Sequence, residues 1–178
     1  DEIDKIIAES MRGQRPFREA YLSGLKSFSG VSRDSLFGVV DKLTLQPGVL
    51  EFVARCKEKS IPIFLISGGF APVAQAISSK LGLQGWCASE VEVINDKMTG
   101  LPGKLTVDGP YKEQWMCEIC ENKNIDMNSI VAVGDGANDK WMLSRAALSI
   151  GFQPKDILAE IIDAFNGWGD HNFTNIFF

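Results

Sequence analysis

A chain of 178 residues with 45% hydrophobic and 23% charged content is long enough to bury a sizeable core and too apolar for wholesale disorder. Its 18 Lys+Arg against 23 Asp+Glu give a formal charge of −5, which argues against a nucleic-acid platform while permitting a locally positive pocket. No apolar run approaches the ~18 residues of a membrane helix and the first residues lack a signal-peptide layout; four sparse cysteines favour a reducing compartment, so a cytoplasmic chain with no membrane partner is expected.

The first forty-odd residues read as helices without strands. Ile3, Ile6, Ile7 and Met11 fall at helical spacing, Pro16-Phe17 opens a second helix through Tyr21, Leu22 and Leu25, and Ser32 is a candidate N-cap for a third running to Val40. After Gln46-Pro47-Gly48 the pattern changes to alternating helix and strand. Val49 to Lys59 is amphipathic, and Ile61 to Ile66 is a short apolar run of the buried parallel-strand type, ending at Ser67-Gly68-Gly69. Pro72 to Leu81 is a helix closed by Gly82, and Trp86-Cys87-Ala88 is a short strand. Val91–Ile94 and Lys104–Val107 flank a Gly- and Pro-containing segment, a hairpin-like excursion over 91–107.

Pro110 starts a helix holding Lys112, Trp115, Met116 and Ile119. Ile130 to Val133 is a second buried strand, ending at Gly134-Asp135-Gly136. A helix with Trp141, Met142 and Leu143 follows, then strand Leu148–Ile150 and a helix from Asp156 to Phe165; the aromatic tail has no clear assignment. The alternation predicts a doubly wound α/β parallel sheet with a small helical cap, the cap spanning 1–44 and the core 45–178.

Several chemistries drop out. His171 is the one histidine, no G-x-S-x-G elbow accompanies it, and no cysteine is followed by the C-x5-R spacing of a thiolate phosphatase. Cys117-x-x-Cys120 lies in helical text with no second pair to complete a zinc site. Two thiols near a core face and a redox switch both remain open for it.

Doubly wound sheets bind ligands beyond the carboxyl ends of their strands, which directs attention to two turns. At Ser67-Gly68-Gly69, the glycines let backbone N–H groups approach an anion and the hydroxyl adds a donor; a plain glycine turn is the alternative. At the second turn Asp135 and Asp139 bracket Gly136-Ala137-Asn138. Two carboxylates that close suggest a cation of the Mg²⁺ type, while an Asx-type turn capping the next helix would use the same residues structurally. Lys112, near a helix start where the dipole disfavours a cation, is tolerable if it faces an anion, though a solvated surface lysine fits the same text. Together the three pieces describe a phosphoryl-transfer site.

In this order the pieces resemble the haloacid dehalogenase (HAD) superfamily, a Rossmannoid fold, and within it the phosphoserine phosphatases. Leu65-Ile-Ser-Gly-Gly-Phe70 is similar to the second family motif, Lys112 falls at the third, and Val131-Ala-Val-Gly-Asp-Gly-Ala-Asn-Asp139 is similar to the fourth; Met11-x-Gly13-x-x-x-Phe17 resembles the cap text. The resemblance implies a phosphatase with Mg²⁺ on Asp135, Asp139 in support, and Ser67, Gly68, Gly69 and Lys112 on the phosphoryl oxygens. Asn138 would touch phosphate or substrate, a small phosphorylated metabolite, and Met11 and Phe17 would line the cap side. The implied mechanism is attack by an aspartate on phosphorus, then hydrolysis of the aspartyl-phosphate.

Two departures stand out. The family's opening D-x-D-x-[TV], source of nucleophile and general acid, is absent from the 178 residues; Asp1-Glu-Ile-Asp4 is helical and wrongly spaced. That motif's strand lies mid-sheet, and its deletion would leave backbone groups unpaired, so upstream residues are expected in the parent protein. A catalytically dead phosphate-binding relative is the alternative. The position of the usual cap arginine is Gly24, which bears on phosphoserine as the substrate.

Overall fold

The computed structural model describes residues 2–40 and 42–166; the aromatic tail and His171 lie outside them. In chain order the helices and strands are α1 (Glu2–Met11), α2 (Phe17–Lys26), α3 (Arg33–Val40), α4 (Val49–Glu58), β1 (Phe64–Phe70), α5 (Ala71–Leu81), β2 (Gly85–Ser89), β3 (Val91–Ile94) and β4 (Lys97–Pro102). They continue with α6 (Gly109–Lys123), β5 (Val131–Gly134), α7 (Lys140–Arg145), β6 (Leu148–Phe152) and β7 (Ala164–Asn166).

Contacts divide the chain into two units, one made of Tyr21–Val107 and the other of the residues up to Ala20 together with those from Asp108 onward. The boundary passes through α2 and does not follow the 44/45 division read from sequence, which remains a proposal about function.

In the Tyr21–Val107 unit, β1 and β2 pair in parallel, Phe64 opposite Gly85 through Ser67 opposite Ala88, with α5 as the crossover between them. The register slips between Ser67 and Phe70, so Gly68 and Gly69 belong to an irregular extension of β1 rather than to a turn beyond it. Gly82, left-handed at φ 61°, closes α5 by donating its N–H to the Ser79 carbonyl. Ser32 caps α3, its Oγ accepting the Asp34 N–H at 3.1 Å.

The β3–β4 hairpin corrects the sequence reading. Its second strand is Lys97–Pro102, not Lys104–Val107, because Asn95 and Asp96 both adopt positive φ and close a two-residue turn immediately after Ile94. Gly100, at φ 84°, bends β4 where Ser29 and the Leu25 carbonyl approach. Val107 is instead an inward anchor, wholly buried, its N–H donating to Ser89 Oγ at 2.8 Å.

In the other unit, β5, β6 and β7 form a parallel three-stranded sheet, Val131 opposite Leu148 and Ile150 opposite Ala164. Its core holds Ala132, Met116, Met142, Leu143, Ile150 and Leu158. Full burial of a side chain such as Ile150 or Leu158 contributes about 2 kcal/mol.

The predicted helix Asp156–Phe165 is not formed. A single 3-10 turn at Asp156–Leu158 buries Leu158, and the chain then extends into β7. The reason is a partner on β6, 14 residues away: the Asp163 carboxylate accepts from Ser149 N–H at 2.8 Å and from Ser149 Oγ at 2.7 Å, while Asp163 N–H donates to the Ser149 carbonyl.

Candidate active site

The acidic turn begins where β5 ends. Gly134 is required there by a close approach: a Cβ at this position would lie 2.5 Å from Asp139 Cβ and 2.8 Å from its Oδ2. The chain then makes a single 3-10 turn, Ala137–Asp139, before α7. Asp139 folds back over that turn. Its Oδ2 accepts the N–H groups of Asp135 (3.0 Å) and Gly136 (3.2 Å), and its Oδ1 receives Lys112 Nζ at 2.6 Å.

Lys112 reaches this point from the first turns of α6, which Asp108 caps by accepting the Tyr111 N–H at 3.0 Å. Far from being a solvated lysine, it is 5% exposed, and Asp139 is 4% exposed. The Asp139 charge offsets the cost of a cation buried near a helix start. Both Asp139 oxygens are therefore engaged with the protein, and Asp139 acts by positioning Lys112 and the turn.

Asp135 is differently placed. Its side chain opens to solvent, and among the described residues no side chain donates to its carboxylate. The protein around the carboxyl raises its pKa, the Asp139 charge adds to this, and Lys112 and Lys155 oppose it. A carboxylate held in this way is suited to a hard cation. Mg²⁺ needs few protein carboxylates, retaining waters and substrate oxygens in its octahedron, so the donor set fits that ion. Among the described residues no group of three His, Cys, Asp or Glu side chains is disposed to hold a metal without such additional ligands.

Asn138, between these acids, has its Oδ1 buried and without a hydrogen-bond partner among the described residues. An orphaned buried acceptor costs about 1–3 kcal/mol unless something donates to it, which suits a residue that meets a ligand. Met11, at the end of α1, lays its thioether against Gly136, where an added Cβ would push the Met11 methyl aside. Phe17 stands half-buried at the start of α2.

Sequence reasoning missed Lys155, whose charge acts on Asp135 and whose N–H donates to the Asp135 carbonyl at 2.9 Å. The signal was available: Lys155 follows the carboxyl end of β6, the kind of position that singled out the other two turns.

In the Tyr21–Val107 unit, Ser67 Oγ accepts the Gly69 N–H at 3.0 Å, so its own O–H stays free to donate. Immediately after it, α5 starts at Ala71 with no side chain capping its first N–H groups. Free N–H groups at a helix start, a donating hydroxyl and two glycines make this segment competent to hold an anion. Gly68 is half-buried and Gly69 exposed.

Residues 3–144 match the family model for haloacid dehalogenase-like hydrolases, and the chain belongs to that family. Within it, the similar proteins are phosphoserine phosphatases. That of Archaeoglobus fulgidus is 32% identical over 163 residues, which cover 92% of this chain and 47% of that protein. That of Idiomarina loihiensis is 30% identical over 161 residues, covering 90% of this chain and 73% of that protein. The chain thus spans less than half of some relatives, 47% of the Archaeoglobus protein and 39% of that of Streptomyces coelicolor.

Among solved structures, a substrate-bound phosphoserine phosphatase complex matches at TM-score 0.90 and 26% identity, over 98% of this chain and 82% of that one. A phospho-aspartyl intermediate analogue of phosphoserine phosphatase matches at the same TM-score with 27% identity. The α/β Rossmannoid fold expected from the strand–helix alternation is the fold found. No helix among the described residues is long and apolar enough to cross a membrane.

Proposed function

We propose that this chain supplies the phosphate- and metal-handling residues of a phosphomonoester hydrolase acting on a small phosphorylated metabolite through an aspartyl-phosphate. The observation that carries the reading is the buried Lys112–Asp139 pair beside Asp135, whose carboxylate receives no side-chain donor among the described residues, at the carboxyl end of β5. One N–H of the Lys112 ammonium goes to Asp139, and the others remain for oxygens of a phosphoryl group. Ser67 donates its O–H to the same kind of oxygen, Gly69 holds that hydroxyl in place through its own N–H and leaves the approach open, and the backbone at Gly68, with the start of α5, adds N–H groups.

Asp135 is the residue that would hold Mg²⁺, and the ion would supply neutralisation of charge on the transferring group. Asp139 keeps Lys112 in place. Asn138, whose buried oxygen has no partner among the described residues, would contact phosphate or substrate, while Met11 and Phe17, from the helical 1–44 segment, would line the cap side. The 45–178 segment serves as the core. The attacking aspartate and the acid that protonates the leaving alkoxide belong to the D-x-D-x-[TV] motif, which is not among these 178 residues. The substrate is left at the level of a phosphorylated metabolite, since Gly24 offers no guanidinium for a substrate carboxylate.

The test is release of inorganic phosphate by the protein, expressed with whatever its reading frame encodes around these residues, from a panel of phosphate monoesters, with and without Mg²⁺. Metal-dependent turnover of at least one monoester, abolished by Lys112→Ala, is the expected result. A well-folded sample containing a D-x-D strand that binds phosphate but turns over none of the panel overturns it.

A further inference from the structure

A second feature of α6 lies outside the machinery just described. Cys117 and Cys120 both line a cavity of about 540 Å³, together with Glu121, Asn124, Asp126 and Arg145. Cys120 is buried and Cys117 half-buried, and both are free thiols. Three residues apart on a continuous helix, their Cα atoms stand about 5 Å from one another by helix geometry. That separation falls within the range of about 4.4–6.8 Å that a disulfide requires, while the Cβ atoms, about 5–6 Å apart on a regular helix, must close to about 3.5–4.5 Å, so bond formation tightens this turn of α6. Among the described residues neither thiol belongs to a group able to hold a metal ion.

We propose that the Cys117–Cys120 pair is a modification site for hydroperoxides, which convert it to an intrahelical disulfide. The half-buried Cys117 reacts first. Its thiolate sulfur attacks one peroxide oxygen, the S–O bond forms as the O–O bond breaks, and the departing oxygen takes up a proton and leaves as an alcohol, or as water from hydrogen peroxide. The Cys120 sulfur then attacks the Cys117 sulfenic acid. The S–S bond forms, the S–O bond breaks, and the hydroxide leaves as water with the Cys120 proton.

The order follows from the surroundings. Burial, then the neighbouring Cys117 and Glu121, push the Cys120 thiol pKa up, which suits a resolving partner better than an initiating nucleophile. Cys117, half-buried at the same cavity, is the more accessible of the two to a peroxide. Cys56 and Cys87, both buried and belonging to the other contact unit, are internal controls.

The experiment treats the purified protein with excess hydrogen peroxide, then measures intact mass and free thiols and maps linkages by digestion without reduction. The expected result is a loss of about 2 Da, a fall from four free thiols to two, a peptide linking Cys117 to Cys120, and full recovery with dithiothreitol. Cys117→Ser and Cys120→Ser should each abolish the mass loss while circular dichroism stays unchanged. Four retained thiols, oxygen adducts without a linkage, or a linkage at Cys56 or Cys87 overturns the proposal. The wild-type measurement decides it even if a variant fails to fold, and it is independent of phosphatase turnover.

Discussion

Lys112 Nζ stands 2.6 Å from Asp139 Oδ1, and the two side chains retain 7% and 6% of their exposure. At such burial the pair matters through what remains when one partner is removed. Asp139→Asn should lower stability by about 3–5 kcal/mol, because Lys112 is left as an uncompensated buried charge. The double substitution Lys112→Met, Asp139→Leu should cost less than the sum of the single ones. Urea denaturation with an unchanged m-value is the measurement for Asp139→Asn, for the two single substitutions and for the double one, and on the proposed function each should abolish phosphate release by a protein that carries the D-x-D motif.

Gly134→Ala addresses the same turn through shape alone. The added methyl would stand 2.5 Å from Asp139 Cβ and 2.7 Å from its Cγ. Displacement of Asp139 should cost about 1–3 kcal/mol and loosen the amides of Asp135 and Gly136. Hydrogen exchange at those two amides should rise relative to the Ser149 amide, which a different carboxylate holds.

Asp163 gives a pH dependence with a definite sign. Hydrogen bonds from Ser149 N–H and Oγ hold its carboxyl below the usual carboxylate range, against a smaller opposing effect of desolvation. A depressed folded-state value means the contribution is fully present above the unfolded pKa, about 3.9, and is lost as pH falls through the lower folded value. The stability difference between the wild-type protein and Asp163→Asn should therefore be constant near neutrality and shrink below pH ~4. A difference that grows on acidification would contradict this.

Gly24 sits in α2 with nothing within 4 Å of where a Cβ would stand and without a left-handed backbone. Gly24→Ala should raise stability by about 1 kcal/mol through helix propensity, seen as an increase in the thermal midpoint. An alanine that destabilises α2 would mean the position has a neighbour that is not evident in this fold.

What the sequence disclosed depended on whether the signal was local. Lys112 and the Asp135–Asp139 turn were visible because a buried strand followed by paired acids is unusual text. That Lys112 is buried was not visible, since its partner lies 27 residues away. The hairpin was displaced because Gly100 and Pro102 read as breakers, whereas Gly100 bends a strand and Pro102 ends it. Asn95-Asp96 is not the Asn-Gly text that announces such a turn. Ile157, Leu158, Ile161 and Ile162 carry helical spacing, yet Ser149 draws Asp163 into the sheet.

The two oxygens of Asp139 are answered by Lys112 and by backbone amides within the same fold. The protein's own hydrogen bonds thus hold the loop, and on the proposed function a cation at Asp135 would meet an arrangement already made. Affinity at Asp135 should then reflect dehydration and charge alone, with little reorganisation entropy and a backbone that superposes whether or not the ion is bound.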